Sequence, residues 1–403
     1  MSPQTHVAEH LSARLHRWQD AGLGRTLADF AGGQDPVAEV DGESRLLFSS
    51  SNYLGLSRHP AVVEAAVEAT RRFGTGSGGS RLTTGSTTLH RELEEELADW
   101  LSYDDCVVFN SGFAANLAAL TVLADDTVTI YSDERNHASI IDGCRAAKAN
   151  GARLVIYPHR DLETLSGLLV QRETAHGLVV TDGVFSMDGT VAPVADLVDL
   201  AHRHGCSVLV DDAHGIGTLG DGRGCAAGGT GGAGGAGTGR ADVLIGTTSK
   251  ALASDGGFIC ANHVTCELLR NQGRSFIYST ASSAPTVAAS LAAVRLVRDD
   301  PRIVARLQEN VRRLAGSLAG SPATPIIPVP VGDEQEAMEV AGRLRRRGFH
   351  IPAIRYPTVP RGQAILRVTV MATHSVEQID QLRDALAEYG LTFAAGSRPD
   401  VRA

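Results

Sequence analysis

Between residues 105 and 246, six short runs rich in apolar and β-branched residues alternate with longer segments, several of them amphipathic and of helix length, and this alternation restricts the chain to few architectures. The runs are Asp105–Asn110, Thr127–Tyr131, Arg153–Tyr157, Gly177–Thr181, Ser207–Val210 and Val243–Gly246. Helices are expected at Ala61–Phe73, Leu89–Leu101, Phe113–Leu123, Ile140–Ala149, Asp196–His204 and Val264–Gln272. Strands that are apolar along their whole length and separated by helices belong to a mostly parallel sheet covered on both faces. Ligands of such sheets sit beyond the carboxyl ends of the strands. The residues that follow each run are therefore the first candidates for chemistry.

The flanks read differently. Residues 7–22 form an amphipathic helical pattern, an irregular arm runs to Gly42, and a strand is expected at Leu46–Phe48 ahead of a loop carrying Ser51-Asn52-Tyr53-Leu54-Gly55. After Arg298 the order becomes helix (Ile303–Ala319), Pro-containing strand (Ala323–Val331), helix (Glu334–Arg347), strand (Ile365–Val370) and helix (Val376–Tyr389). This predicts an N-terminal helix and arm over 1–51, a large α/β domain over 52–298 and a small α+β domain over 299–403. Residues 222–239 hold a glycine tract whose near absence of side chains cannot offset its ordering entropy, so a surface loop is expected there.

Lysine and arginine number 37 against 46 acidic residues, a net charge of −9, which argues against a main role in neutralising nucleic-acid phosphates. No apolar stretch has the length of a membrane span and the first residues lack an apolar signal core, so a cytoplasmic protein without membrane attachment is expected. The six cysteines, Cys106, Cys144, Cys206, Cys225, Cys260 and Cys266, show no CxxC spacing and read as free thiols, with no metal site.

The run ending at Val210 leads into Asp211-Asp212-Ala213-His214-Gly215. A carboxylate buried at a strand end is driven toward its neutral form unless a cation meets it. A protonated pyridine nitrogen is one such cation and a metal another, and a structural hydrogen-bond network would also satisfy the group. This segment alone does not choose among them. The run ending at Gly246 delivers Thr247-Thr248-Ser249-Lys250 to the same sheet edge. A lysine there reacts with a carbonyl when its surroundings keep the amine partly neutral, and such sites pair an acid with a pyridinium nitrogen; the plain alternative is an exposed lysine opening a helix. Ser111-Gly112-Phe113 follows a strand and starts a helix, an arrangement that binds phosphate or serves as ordinary capping. His137, just beyond another strand, suits stacking on a planar ring or a polar loop role.

Taken together, these segments resemble the α-oxoamine synthases, pyridoxal 5'-phosphate enzymes of fold type I that condense an amino acid with an acyl thioester and lose carbon dioxide. The resemblance is carried by Asn52-Tyr53-Leu54-Gly55-Leu56, Gly74-Thr75-Gly76-Ser77-Gly78-Gly79-Ser80-Arg81, Ser111-Gly112-Phe113-Ala114-Ala115-Asn116, His137-Ala138-Ser139, Val184-Phe185-Ser186-Met187-Asp188-Gly189, Asp211-Asp212-Ala213-His214-Gly215, Thr247-Thr248-Ser249-Lys250 and Ile277-Tyr278-Ser279-Thr280. It implies a large domain with a mostly parallel seven-stranded sheet and a smaller α+β domain. Lys250 is implied to hold the cofactor and shuttle a proton, Asp211 to pair with its ring nitrogen, His137 to stack on the ring, and His214 and Ser186 to lie at its phenolic oxygen. Ser111, Gly112, Phe113 and Thr247 are implied to hold its phosphate, with Ser279 and Thr280 reaching over from a second subunit of a homodimer with shared active sites. Arg25, Ser51, Arg367 and Thr358 match positions near the substrates.

Ala353-Ile354-Arg355-Tyr356-Pro357-Thr358-Val359-Pro360 is similar to a segment of the family's biotin-pathway branch, which implies L-alanine and a pimeloyl thioester of coenzyme A or a carrier protein. Ser51 and Tyr356 depart from that pattern. Glycine or serine with an acetyl, succinyl or longer acyl thioester stays open as a reading, as do an aminotransferase and a non-catalytic cofactor-binding subunit. Several glycines, Gly55 and Gly215 among them, are expected where backbone comes close to a ligand.

Overall fold

The computed structural model describes residues 3–226, 239–316 and 324–391. After the helix Pro3–Asp20 the chain forms a ribbon of β1 (Val37–Val40) and β2 (Glu43–Leu47). Seven strands then build the main sheet: β3 (Asp105–Phe109), β4 (Val128–Asp133), β5 (Arg153–Tyr157), β6 (His176–Asp182), β7 (Cys206–Asp211), β8 (Val243–Thr247) and β9 (Gly257–Ala261). The C-terminal portion adds β10 (Ile326–Gly332), β11 (Phe349–His350), β12 (Ala353–Ile354) and β13 (Ala364–Thr369).

The main sheet runs in the order β3-β9-β8-β7-β6-β4-β5. All its pairings are parallel except the two made by β9, which is antiparallel to β3 and β8. Every residue of β4, β8 and β9 is buried, as expected of strands covered on both faces. Successive side chains point to opposite faces. Ile130 thus packs into a cluster with Leu120, Ile140 and Leu269, while Tyr131 joins the larger cluster that includes Leu97, Val198 and Val294. The helices Gly112–Leu123 and Ala138–Ala149 therefore cover one face, and Thr88–Leu101, Val194–Arg203 and Ala284–Asp299 the other.

A second sheet, β10-β13-β12, belongs to the C-terminal portion. In the third, β11 lies parallel to β2 with Phe349 opposite Leu46, so the N-terminal arm and the C-terminal segment share one sheet. Two differences from the expected pattern matter for the site. Strands β4 and β6 run on to Asp133 and Asp182, which places an additional acid at each strand end. Strand β9 and the helices Leu162–Val170 and Ala284–Asp299 were not expected, because each is short or nearly uniform in polarity and carries little periodic signal. Of the glycine tract, residues 227–238 lie outside the described residues.

Candidate active site

The carboxyl ends of β6, β7 and β8 meet at one edge. Register places Asp182 opposite Asp211, and Asp211 opposite Ile245 two residues before Thr247. Asp211 is buried; its Oδ2 accepts from Asn116 Nδ2 at 2.6 Å and its Oδ1 from the Ala213 N–H at 3.0 Å. Asp182, also buried, accepts from the His137 N–H at 2.8 Å. Burial, reinforced by the Asp211 charge, drives the Asp182 carboxyl well above its usual range.

Lys250 follows β8 directly. Among the described residues its amine makes no ion pair. Burial pulls it down to about 8; Asp211 and Asp182 oppose that shift and the nearby Arg367 charge adds to it. An amine tuned in this way is partly neutral near physiological pH and is a competent nucleophile toward a carbonyl.

Two histidines and an arginine complete the cluster. His137 caps the helix Ala138–Ala149, with Nδ1 2.7 Å from Ser139 Oγ. Desolvation lowers its pKa; the Asp211 charge opposes this and that of Lys250 assists it. His214 is buried and held far below the ordinary imidazole range by desolvation first, then by Lys250, Arg367 and His137. Arg367, buried on β13, donates from Nε to the Ser186 carbonyl at 2.6 Å and so joins the small sheet to the site. Register and a hydrogen bond place Asp182, Asp211 and His137 together, and the charges of Lys250 and Arg367 act on the same cluster.

A helix start adjoins it. Ser111 caps the helix Gly112–Leu123 by accepting from the Ala114 N–H at 3.1 Å. The first N–H groups, those of Gly112 and Phe113, have no acceptor among the described residues. A Cβ on Gly257 would lie 2.4 Å from the Gly112 nitrogen, so only glycine lets β9 pass beneath this turn. Thr247 stands beside Gly112, but its hydroxyl donates to the Gly256 carbonyl at 2.6 Å. Ser249 Oγ, 2.7 Å from Thr247 Oγ1, is the more exposed hydroxyl of the pair.

The other expected residues lie further out. Arg25 is exposed in an arm that Arg355 pins through the Gly22 and Gly24 carbonyls, and Thr358 is exposed in a turn whose N–H reaches the Arg355 carbonyl. Ser51 is half-buried. Thr280 bridges Ser80 of its own chain, and its carbonyl accepts from Asn110 Nδ2 at 3.4 Å. Asp182, Asn116, Ser249 and Tyr53, whose hydroxyl touches His214, were not singled out from the sequence. Asn116 and Tyr53 sit inside quoted motifs, whereas nothing local marks Asp182 except its place after an apolar run. In chemical terms the arrangement suits a flat, cationic nitrogen heterocycle over Asp211, with an anionic tail at the helix start and a carbonyl at Lys250.

The aminotransferase class I and II model matches residues 43–386. A biotin biosynthesis bifunctional protein BioWF of Corynebacterium kroppenstedtii is 44% identical, with 96% of this chain and 59% of that protein covered. The chain spans only 57–59% of the length of three such bifunctional relatives. A putative 8-amino-7-oxononanoate synthase of Desulfovibrio desulfuricans is 43% identical over 94% of this chain and 99% of its own length. Among solved structures, serine palmitoyltransferase of S. paucimobilis with bound PLP–myriocin superposes with a TM-score of 0.85 at 29% identity, covering 97% and 100% of the two chains. The 8-amino-7-oxononanoate synthase of Francisella tularensis superposes at 0.71 and 26% identity, covering 86% and 98%.

Proposed function

The chain belongs to the aminotransferase class I and II family and, within it, to the α-oxoamine synthases, and from that premise we propose that it condenses L-alanine with a pimeloyl thioester, releasing 8-amino-7-oxononanoate, carbon dioxide and free thiol. Pyridoxal 5'-phosphate is the cofactor of this reading. The observation that carries it is Lys250, an amine without an ion-pair partner among the described residues and brought by burial to about 8 just past a strand end, under the charges of Asp211, Asp182 and Arg367. The groups around it suit the cofactor: the unused N–H groups of Gly112 and Phe113 for phosphate, Asp211 for a ring nitrogen, and His137 for a ring face.

When bound, the cofactor supplies an electron sink for the pair left on the substrate Cα. Lys250 Nζ would hold the cofactor and would move the proton at the substrate Cα. Asp211 would keep the cofactor's ring nitrogen protonated. Arg367 offers its planar fork to the substrate carboxylate, held in place by Ser186. Ser249 and Thr247 would stand at the cofactor's phosphate.

The homodimer with shared sites belongs to the same reading. It is supported by the exposure of Leu82, Phe113 and Tyr278, at 59%, 46% and 72%, close in sequence to Ser80, Gly112, Ser279 and Thr280. No described helix is long and apolar enough to cross a membrane, and a cytoplasmic location is part of the proposal.

A second reading, glycine or serine with another acyl thioester, is favoured by the closer superposition on serine palmitoyltransferase and by Tyr356, exposed where Arg361 stacks 4.1 Å from its ring centroid. The cofactor assignment is tested by adding pyridoxal 5'-phosphate, reducing with borohydride and mapping the adduct by mass spectrometry. We expect modification at Lys250 and a visible absorbance band that Lys250→Ala abolishes, with condensation falling at least 10²-fold. Wild-type protein that takes up no cofactor contradicts the reading.

A further inference from the structure

We infer that Tyr53 is a positioning residue: its hydroxyl donates to His214 Nδ1 and so fixes the ring in the tautomer that carries its proton on Nε2. The inference rests on the functional reading for what Nε2 meets, but the tautomer itself follows from the protein alone. Tyr53 is fully buried, His214 is 8% exposed, and the Tyr53 oxygen lies 2.8 Å from Nδ1 with the two ring centroids 6.1 Å apart.

Either partner of such a pair can donate in principle. The surroundings decide. Among the described residues the Tyr53 hydroxyl has no other partner, so were Nδ1 the donor, the phenolic proton would be left buried without an acceptor. With Tyr53 donating, its proton is satisfied and Nδ1 is satisfied as acceptor. A doubly protonated ring would also strand that proton, and burial first, then the Lys250 and Arg367 charges, disfavour it. The remaining proton is then on Nε2, which has no protein partner among the described residues and can donate to an anionic oxygen such as the cofactor's phenolic oxygen. The tautomer of a functional histidine is set by the bond its other nitrogen makes.

The test is ¹⁵N NMR of protein labelled at histidine and prepared without cofactor, with His214→Gln used to identify the His214 signals. We expect Nδ1 unprotonated and Nε2 protonated in the wild type, and the two ¹⁵N shifts moving toward each other in Tyr53→Phe as the tautomers mix. A wild-type Nδ1–H, or shifts untouched by Tyr53→Phe, overturns the inference; should Tyr53→Phe not fold, the wild-type tautomer alone decides. With pyridoxal 5'-phosphate bound, loss of an oriented donor should raise the pH midpoint of the visible band by about one unit in Tyr53→Phe. In a His214→Gln background, Tyr53→Phe should leave the midpoint unmoved. Failure of wild-type protein to bind the cofactor would sink the functional reading and leave the NMR result standing.

Discussion

Asp211 and Asp212 are neighbours in sequence with opposite surroundings. Asp211 faces the site, whereas Asp212 is turned into the protein, where it accepts from the Cys225 N–H at 2.7 Å, the Ala226 N–H at 3.2 Å and the Cys225 thiol at 3.1 Å. Burial still raises its carboxyl to about 7, against the pull of those donors. A group raised in the folded state adds stability that is complete below its unfolded pKa, near 4, and is lost as pH climbs through the folded value. Between pH 4 and 7 Asp212 should therefore cost the fold on the order of 4 kcal/mol. Urea midpoints followed across this range should show that loss in the wild type and not in Asp212→Asn; parallel curves would contradict the account. The same carboxylate explains Gly215, whose Cβ would sit 1.9 Å from Asp212 Oδ1. Gly55 likewise makes room for Thr373, with 2.3 Å from a Cβ to Cγ2. At both positions protein atoms already require glycine.

At the level of elements, β9 is the least expected strand and one of the most consequential. Gly257 opens it directly beneath the Ser111–Gly112 turn, where added bulk has nowhere to go. Gly257→Ala should destabilise by about 1–3 kcal/mol and weaken cofactor affinity through the displaced turn. Gly167, inside the helix Leu162–Val170 with open space around its Cβ, is the contrast: Gly167→Ala should stabilise by about 0.5–1 kcal/mol. Thermal unfolding of both variants, with and without cofactor, separates the effects; equal shifts would show that the turn does not depend on β9. The strands that follow one another in parallel were legible because an apolar run between two amphipathic helices has few other fates. Strand β9 was not, since Gly-Phe-Ile-Cys-Ala is short and its partners β3 and β8 are distant or reversed in direction. The alanine-rich helix Ala284–Asp299 packs nearly all round and shows little amphipathic contrast. Lys250, Asp211, His137 and His214 stood out because each follows an apolar run. Asp182 and the Tyr53–His214 contact depend on register and on a separation of 161 residues, which no local pattern records.

Across the whole molecule, the small sheet reaches the reacting centre through Arg367, while the N-terminal arm is tied to the C-terminal segment by the β2–β11 pairing and by Arg355. The lysine, acids and histidines come from the large sheet, and the groups proposed to face the substrates come from other segments. On the proposed reading this division accounts for why chemistry is easier to read than substrate identity: Lys250 and Asp211 would serve any amino acid, whereas Ser51, Tyr356 and Thr358 lie on half-buried or exposed segments. The central claim is tested most directly by offering the cofactor-loaded protein alanine, glycine and serine, each with pimeloyl, acetyl, succinyl and palmitoyl thioesters, and measuring free thiol and carbon dioxide together. The account predicts equimolar release of both with alanine and a pimeloyl thioester, well above every other pair. Release confined to another pair, or none from any, would contradict it.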